Sequence, residues 1–151
     1  MEPQRLRSFE AVIGVRFHDL ELLKLSLIHS SYINEHPLEA PISNERLEYL
    51  GDALLGMAVA NRLYRDHPEM TEGDLTAARA AIVCGECLSE AADDLGLGAF
   101  LYLGQGEESS GGRAKSSNLA AGLEALVGAV YLDQGHAEAE VFGLRILTKQ
   151  I

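Results

Sequence analysis

The sequence predicts an all-α domain of about seven helices. Apolar residues recur at three- and four-residue spacing along most of the chain. No segment makes a convincing strand, and no internal repeat is visible. The chain has 151 residues, with 47% apolar and 23% charged, which fits one compact domain over 1–151 and excludes wholesale disorder. A chain of this length buries roughly 68–70% of the surface it exposes when unfolded.

Each helix has its own signal. Leu6, Phe9 and Ile13 mark a short first helix. Leu20, Leu22, Leu23, Leu25, Leu27 and Ile28 fall in a second, with His18-Asp19 near its start. Ser43 or Asn44 can cap a long third helix that runs to about Arg65, where His67-Pro68 stops it. Its positions Leu47, Leu50, Leu54, Met57, Val59 and Leu63 predict a helix buried nearly all round. A further helical region starts at Thr71-Glu72-Gly73-Asp74, with a break near Gly85, and ends in a turn around Asp94–Gly98. Gly104–Ser117 reads as an exposed loop, with four Gly and four Ser. A helix from about Asn118 to Leu132 follows, ended by Asp133-Gln134-Gly135, and a last one runs from about Ala137 to the C-terminus.

Twelve basic residues face 23 acidic ones, a formal charge of −11. Charge alone argues against a nucleic-acid binder, which usually carries excess Lys and Arg. Cys84 and Cys87 form a single C-x-x-C. Zinc needs two more ligands and a thioredoxin-like motif needs a preceding strand, so the pair reads as two half-buried thiols in a reducing compartment. The longest apolar runs, Ala53–Ala60 and Ala125–Leu132, are far shorter than the ~20 residues that span a bilayer. With no secretory h-region visible, a soluble, cytoplasmic protein is expected.

The segment Asn44-Glu-Arg-Leu-Glu-Tyr-Leu-Gly-Asp52 carries the chemistry. Glu45, Glu48 and Asp52 lie at i, i+3 and i+7, within about 60° on one helix face. Such like charges destabilise an isolated helix by ~0.2–0.5 kcal/mol per pair. Arg46 or open solvent is one way to relieve them. Glu124, however, sits inside the most apolar helix, where an isolated carboxylate needs a partner. A divalent cation shared by Glu48, Asp52 and Glu124 answers both needs. All-oxygen ligands point to Mg²⁺, with Mn²⁺ as a substitute. Ser30 and Ser31 beside His29 make a poor hydrolase dyad, because neighbours on a helix point apart. A carboxylate-bridged di-iron bundle wants Glu-x-x-His pairs, and neither Glu48 nor Glu124 has a His three residues on.

These residues resemble a known family. Glu45-Arg-Leu-Glu-Tyr-Leu-Gly-Asp-Ala53 is similar to the signature of the ribonuclease III endonuclease domain. His29-Ser-Ser-Tyr-Ile-Asn-Glu35, Glu72-Gly-Asp-Leu75, Gly104-Gln-Gly-Glu-Glu-Ser-Ser-Gly-Gly-Arg113 and Leu123-Glu-Ala-Leu-Val-Gly-Ala-Val-Tyr-Leu-Asp133 match other family segments in order. The similarity covers roughly Phe9 to Leu147. The resemblance implies an all-helical, homodimeric, Mg²⁺-dependent endonuclease for double-stranded RNA. Its products carry 5′-phosphate and 3′-hydroxyl ends. By motif position Glu48, Asp52 and Glu124 match the catalytic, metal-binding carboxylates. Glu45 and Glu72 match supporting acids. Tyr49 matches an aromatic that plugs into the partner subunit; ordinary core packing is its other reading. Arg113 and Lys115, in the loop flanking the RNA valley, are candidate phosphate contacts.

The chain departs from the family pattern at two points. The family's Asp three residues before Glu124 is Ala121 here. Asp133 is two and a half turns from Glu124 and cannot replace it. Three carboxylates still suffice for Mg²⁺, so activity is expected, with a weak or inactive RNA-binding or scaffold relative as the alternative. The chain also ends at Gln150-Ile151, about where the nuclease domain should end. That implies no C-terminal double-stranded-RNA-binding domain, in a single-domain form or a part of a longer protein. RNA binding without it is expected to be weak and salt-sensitive.

Overall fold

The computed structural model describes residues 2–151. Nine α-helices and two short 3₁₀ turns make up these residues, which include no β-strand. The all-α expectation holds, with two more helices than the sequence suggested.

Helix α1 (Glu2–Ile13) buries Leu6, Phe9 and Ile13, and Gly14 ends it in the left-handed region at φ 72°. Helix α2 (Leu20–Ser26) starts at Asp19, whose carboxylate accepts from the Glu21 amide. Helix α3 (Ser30–Glu35) is capped by His29. Its six residues bury none of themselves, so no periodicity announced it. Helix α4 (Glu45–Asp66) matches the long predicted helix to within a residue. Asn44 is its N-cap without a side-chain cap bond; Ser43 Oγ accepts from the Glu45 amide instead, at 3.3 Å.

The predicted break near Gly85 is real. Helix α5 (Glu72–Ile82) opens with a complete capping box between Thr71 and Asp74. Helix α6 (Gly85–Asp94) restarts at Cys84, whose sulfur accepts from the Cys87 amide. Both thiols are half-buried. Gly96, at φ 68°, leads into a 3₁₀ turn over Leu97–Phe100. The expected loop is largely folded: helix α7 (Gln105–Ser109) and a 3₁₀ turn (Gly112–Ala114) occupy it. Helix α8 (Ser116–Gln134) and helix α9 (His136–Ile146) complete the chain.

Helix α8 is the axis, with α2, α4, α6 and α9 packed around it. Leu123, Ala125, Leu126, Val127, Ala129 and Val130 are almost wholly enclosed. The α4–α8 crossing is tight enough to be backbone on backbone. A Cβ added at Gly51 would lie 1.6 Å from the Glu124 carbonyl oxygen, and one at Gly128 would lie 2.6 Å from the Leu47 carbonyl oxygen. Only glycine fits either position.

One expectation fails here. Helix α4 is not buried all round, because α8 covers only one of its faces. Leu47, Leu55, Val59 and Leu63 are buried there, whereas Tyr49, Met57 and Tyr64 are exposed. No described helix is long and apolar enough to cross a membrane.

Candidate active site

The glycine crossing puts the acidic residues together. Gly51 rests on the backbone of Glu124, and Asp52 is the next residue along α4. The Glu124 carboxyl is hydrogen-bonded to Asp52, and Glu48 lies near enough to act on both. Burial, then the Asp52 hydrogen bond, then the charges of Asp52 and Glu48 push the Glu124 pKa up to about 8. Burial, followed by Glu45 and Asp52, raises Glu48 above its ordinary value.

No ion pair among the described residues relieves this repulsion. The ion pairs among the described residues include none of Glu45, Glu48, Asp52 or Glu124. Arg46, the candidate partner, lines a groove beside Tyr49. Glu124 therefore holds its proton near neutral pH, where most carboxyls hold none. A divalent cation would displace that proton and satisfy both carboxylates. The donor set is all oxygen and suits Mg²⁺ or Mn²⁺. Among the described residues no three His, Cys, Asp or Glu side chains form a ready cage for a metal. Mg²⁺ does not need one, since it commonly takes one or two carboxylates and completes its shell with water and substrate oxygens.

The other candidates have different positions. Glu45 is exposed and lines a cavity shared with Glu48. Glu72 opens α5 as an exposed residue and lies outside that cavity, with no part in the charge felt by Glu48 or Glu124. Tyr49 is 82% exposed, so ordinary core packing within the chain does not account for it. Arg113 is engaged within the chain. Its guanidinium pairs with Glu108 at 2.6 Å and donates to the carbonyls of Gly98 and Leu101 at 3.0 and 2.8 Å, tying down the Gly104–Ser117 segment. Lys115 is exposed, with only Glu107 within 4.0 Å. Asp133 is an anchor: it accepts from the His18 and Asp19 amides at 2.9 and 3.0 Å. Burial works against its charge, but those hydrogen bonds keep its pKa low.

Sequence reasoning missed several residues. Arg79 of α5 faces the cleft beside Asp52, and an arginine opposite a conspicuous acid on a capped helix was its only signal. His29 and Ser31 do meet, with Nδ1 and Oγ at 2.8 Å, because His29 is a cap outside the helix. The Ser31 hydroxyl also accepts from the Gly104 amide, which makes this a structural clasp between α3 and α7.

Comparison with known proteins agrees with this geometry. A family model described as Ribonuclease-III-like matches residues 19–151. Ribonuclease 3 of Dehalococcoides mccartyi is 49% identical over 130 residues, covering 86% of this chain and 55% of that protein. Ribonuclease 3 of Moorella thermoacetica is 52% identical over 130 residues, with the same 86% and 55% coverage. The chain thus spans about half the length of the curated relatives it matches. A nuclease domain of ribonuclease III from Campylobacter jejuni superposes with a TM-score of 0.87 at 36% identity, covering 95% of this chain and 96% of that one. With the signature on α4, the acid pair at its crossing with α8 and these matches, the chain belongs to the ribonuclease-III-like family.

Proposed function

We propose that this domain is a divalent-metal-dependent endoribonuclease that hydrolyses phosphodiester bonds of double-stranded RNA and leaves 5′-phosphate and 3′-hydroxyl ends. The observation that carries the reading is the half-buried Glu124, hydrogen-bonded to the exposed Asp52, with neither carboxyl in an ion pair among the described residues. Asp52, Glu124 and Glu48 would hold Mg²⁺, or Mn²⁺ in its place. A cation bound there would polarise a phosphoryl oxygen and supply a water of lowered pKa. The chain's own part is positional. Gly51 and Gly128 fix the distance between α4 and α8, and so the spacing of the carboxylates. Glu124 would have to lose its proton for its carboxylate to hold a cation. Glu45 and Glu72 are read as supporting acids. Arg79 beside Asp52, and Lys115, are the cations placed to meet phosphates. Arg113 keeps the supporting segment in place.

The reading includes a homodimer. Leu25, Ile33, Pro41, Ile42 and Leu132 line an apolar groove of about 850 Å³, and Tyr49 stands on its edge. The Campylobacter jejuni domain is described with a region involved in dimer formation. A second copy covering this groove would bury Tyr49 and set two acid pairs along one duplex. A cytoplasmic location accompanies this function.

The test is cleavage of long duplex RNA at low salt with millimolar Mg²⁺. Products with 5′-phosphates, lost in Glu124→Gln and in chelator, are expected. Intact RNA with both Mg²⁺ and Mn²⁺ would overturn the reading. Ala121 favours a second one, a catalytically weak or inactive RNA-binding or scaffold protein, because it removes a carboxylate from the site's edge. Gel shifts of duplex RNA without products, indifferent to metal, would select it.

A further inference from the structure

The junction between α5 and α6 holds both cysteines of the chain, and neither the acid pair nor the apolar groove uses them. Cys84 is the N-cap of α6, and Cys87 lies in its first turn. Both side chains are half-buried. The Cys84 sulfur accepts from the Cys87 amide at 3.4 Å. The Cys87 thiol donates to the Ala81 carbonyl at 3.2 Å, one of the last carbonyls of α5. Helix ends leave such carbonyls without an amide partner from their own helix, and here a thiol serves instead.

The two sulfurs are set up differently. The Cys87 amide, then the Cys87 thiol, hold the Cys84 pKa below the ordinary thiol range, against burial and the charge of Glu86. The hydrogen bond with Cys84, then burial, push Cys87 up to about 11. One thiol is poised to ionise while its neighbour keeps its proton. Thiol–disulfide exchange needs that division: a thiolate to attack, and a second thiol near enough to resolve the product. The chain lacks the strand that precedes such a pair in thioredoxin-like folds, but the exchange depends on the sulfurs and not on that strand.

Reach and access are both in place. Residues three apart on a helix have Cβ atoms about 5–6 Å apart, and a disulfide closes them to about 3.5–4.5 Å. Cys84 lies outside the helix in extended backbone, φ −69° and ψ 158°, with its sulfur folded back over the first turn. Turning the Cys87 side chain off the Ala81 carbonyl is the movement that remains. Gly85 and Glu86 between the two cysteines are exposed. Beyond that turn nothing lies within 4 Å of where a Gly85 Cβ would stand, so a small molecule has an open approach. Among the described residues no third His, Cys, Asp or Glu joins the pair to make a metal site.

We propose that Cys84 and Cys87 form a thiol–disulfide exchange site for low-molecular-weight disulfides, with Cys84 as the attacking sulfur and Cys87 as the resolving one. The Cys84 thiol loses its proton, and its thiolate attacks one sulfur of the small disulfide. That S–S bond breaks, a small thiolate leaves and is protonated, and a mixed disulfide remains on Cys84. Cys87 then loses its proton, attacks the Cys84 sulfur and expels the second small thiolate, which is protonated in turn. Two protein thiols are oxidised to one disulfide, and one small disulfide is reduced to two thiols. Oxidation also takes the thiol donor from the Ala81 carbonyl, two residues from the Arg79 that faces the cleft beside Asp52. The exchange site stands independently of the nuclease reading.

The test incubates the reduced protein with excess glutathione disulfide, quenches it in acid and weighs it intact. A loss of about 2 Da, two hydrogens, is expected, with peptide mapping placing the bond between Cys84 and Cys87. Cys87→Ser should stop at the mixed disulfide on Cys84. Cys84→Ser should react at Cys87 at least about tenfold more slowly than Cys87→Ser reacts at Cys84. Cooperative thermal melts show that both variants are folded. Sub-stoichiometric iodoacetamide reads the same order in the unaltered protein without any substitution, and its label should fall on Cys84. An unchanged mass, a mixed disulfide that persists in the unaltered protein, or alkylation of Cys87 as fast as Cys84 would overturn the proposal.

Discussion

Helix α4 has two faces, both rich in apolar residues and built to opposite ends. On the inner face Gly51 meets the backbone of α8, and the closeness of that contact forces Asp52 against Glu124. On the outer face Tyr49, Met57 and Tyr64 stand in solvent, and Gly56 has nothing within 4 Å of where its Cβ would be. The inner face is crowded enough to force chemistry on its carboxylates. The outer face is empty enough to receive another protein. Hydrophobic content does not tell the two apart; the distance to the nearest neighbour does.

The largest effect should come from the inner face. Glu124→Gln keeps the shape of the side chain and removes the charge that would hold the cation. Duplex-RNA cleavage should fall about a thousandfold, the equivalent of ~4 kcal/mol in the barrier. Single-turnover kinetics on a labelled duplex measures this. A residual rate within tenfold of the starting protein would remove Glu124 from the machinery. Gly51→Ala tests the packing behind the same face. The added methyl collides with the Glu124 carbonyl, so the helices must part. A loss of ~3 kcal/mol or more is expected in urea denaturation, enough to unfold a marginal domain.

The outer face should answer differently. Tyr49→Ala removes a large exposed ring beside the groove and should weaken a dimer by about 2 kcal/mol, ~30-fold in Kd, with little change in the monomer's melting. Sedimentation equilibrium decides it, and an unchanged Kd would send the dimer elsewhere. Gly56→Ala is the counterpart of Gly51→Ala, five residues along the same helix. With open space for its methyl, it should gain up to ~1 kcal/mol from helix propensity in the monomer. Two identical substitutions with opposite signs would separate the faces most cleanly.

The sequence made α4 and α8 legible because both are long, and their acids stood out against apolar neighbours. Helices α3 and α7 were not legible, since six and five residues do not complete two turns and neither helix has a buried residue. The exposure of α4's outer face was missed for another reason. Periodicity reports that a face is apolar and is silent on what covers it. The acid pair was anticipated from charge and spacing. Arg113 looked like a free cation, and only the 3₁₀ turn at Leu97–Phe100 and the Leu101 residue that follows bring it the carbonyls it holds.

The smallest prediction concerns pH, and it also divides the two faces. A carboxyl with an ordinary pKa near 4.5 in the unfolded chain and about 8 in the folded one binds more protons when folded. Over that interval rising pH favours the unfolded chain. Without divalent metal, stability should therefore decline between about pH 5 and pH 8 and level off above. Asp133 acts in the opposite direction, but its low pKa confines its effect to acid below that window. Because Glu124 is only half-buried, the decline in Tm should be modest, about 2–4 °C. Glu124→Gln should shrink it, since glutamine has no proton to lose and only the raised Glu48 then acts in the same direction. Tyr49→Ala, on the outer face, should leave the slope alone. Differential scanning calorimetry in chelator at pH 5 and pH 8 reads both variants. A slope undiminished in Glu124→Gln would mean that Glu124 is not where the protein stores its proton.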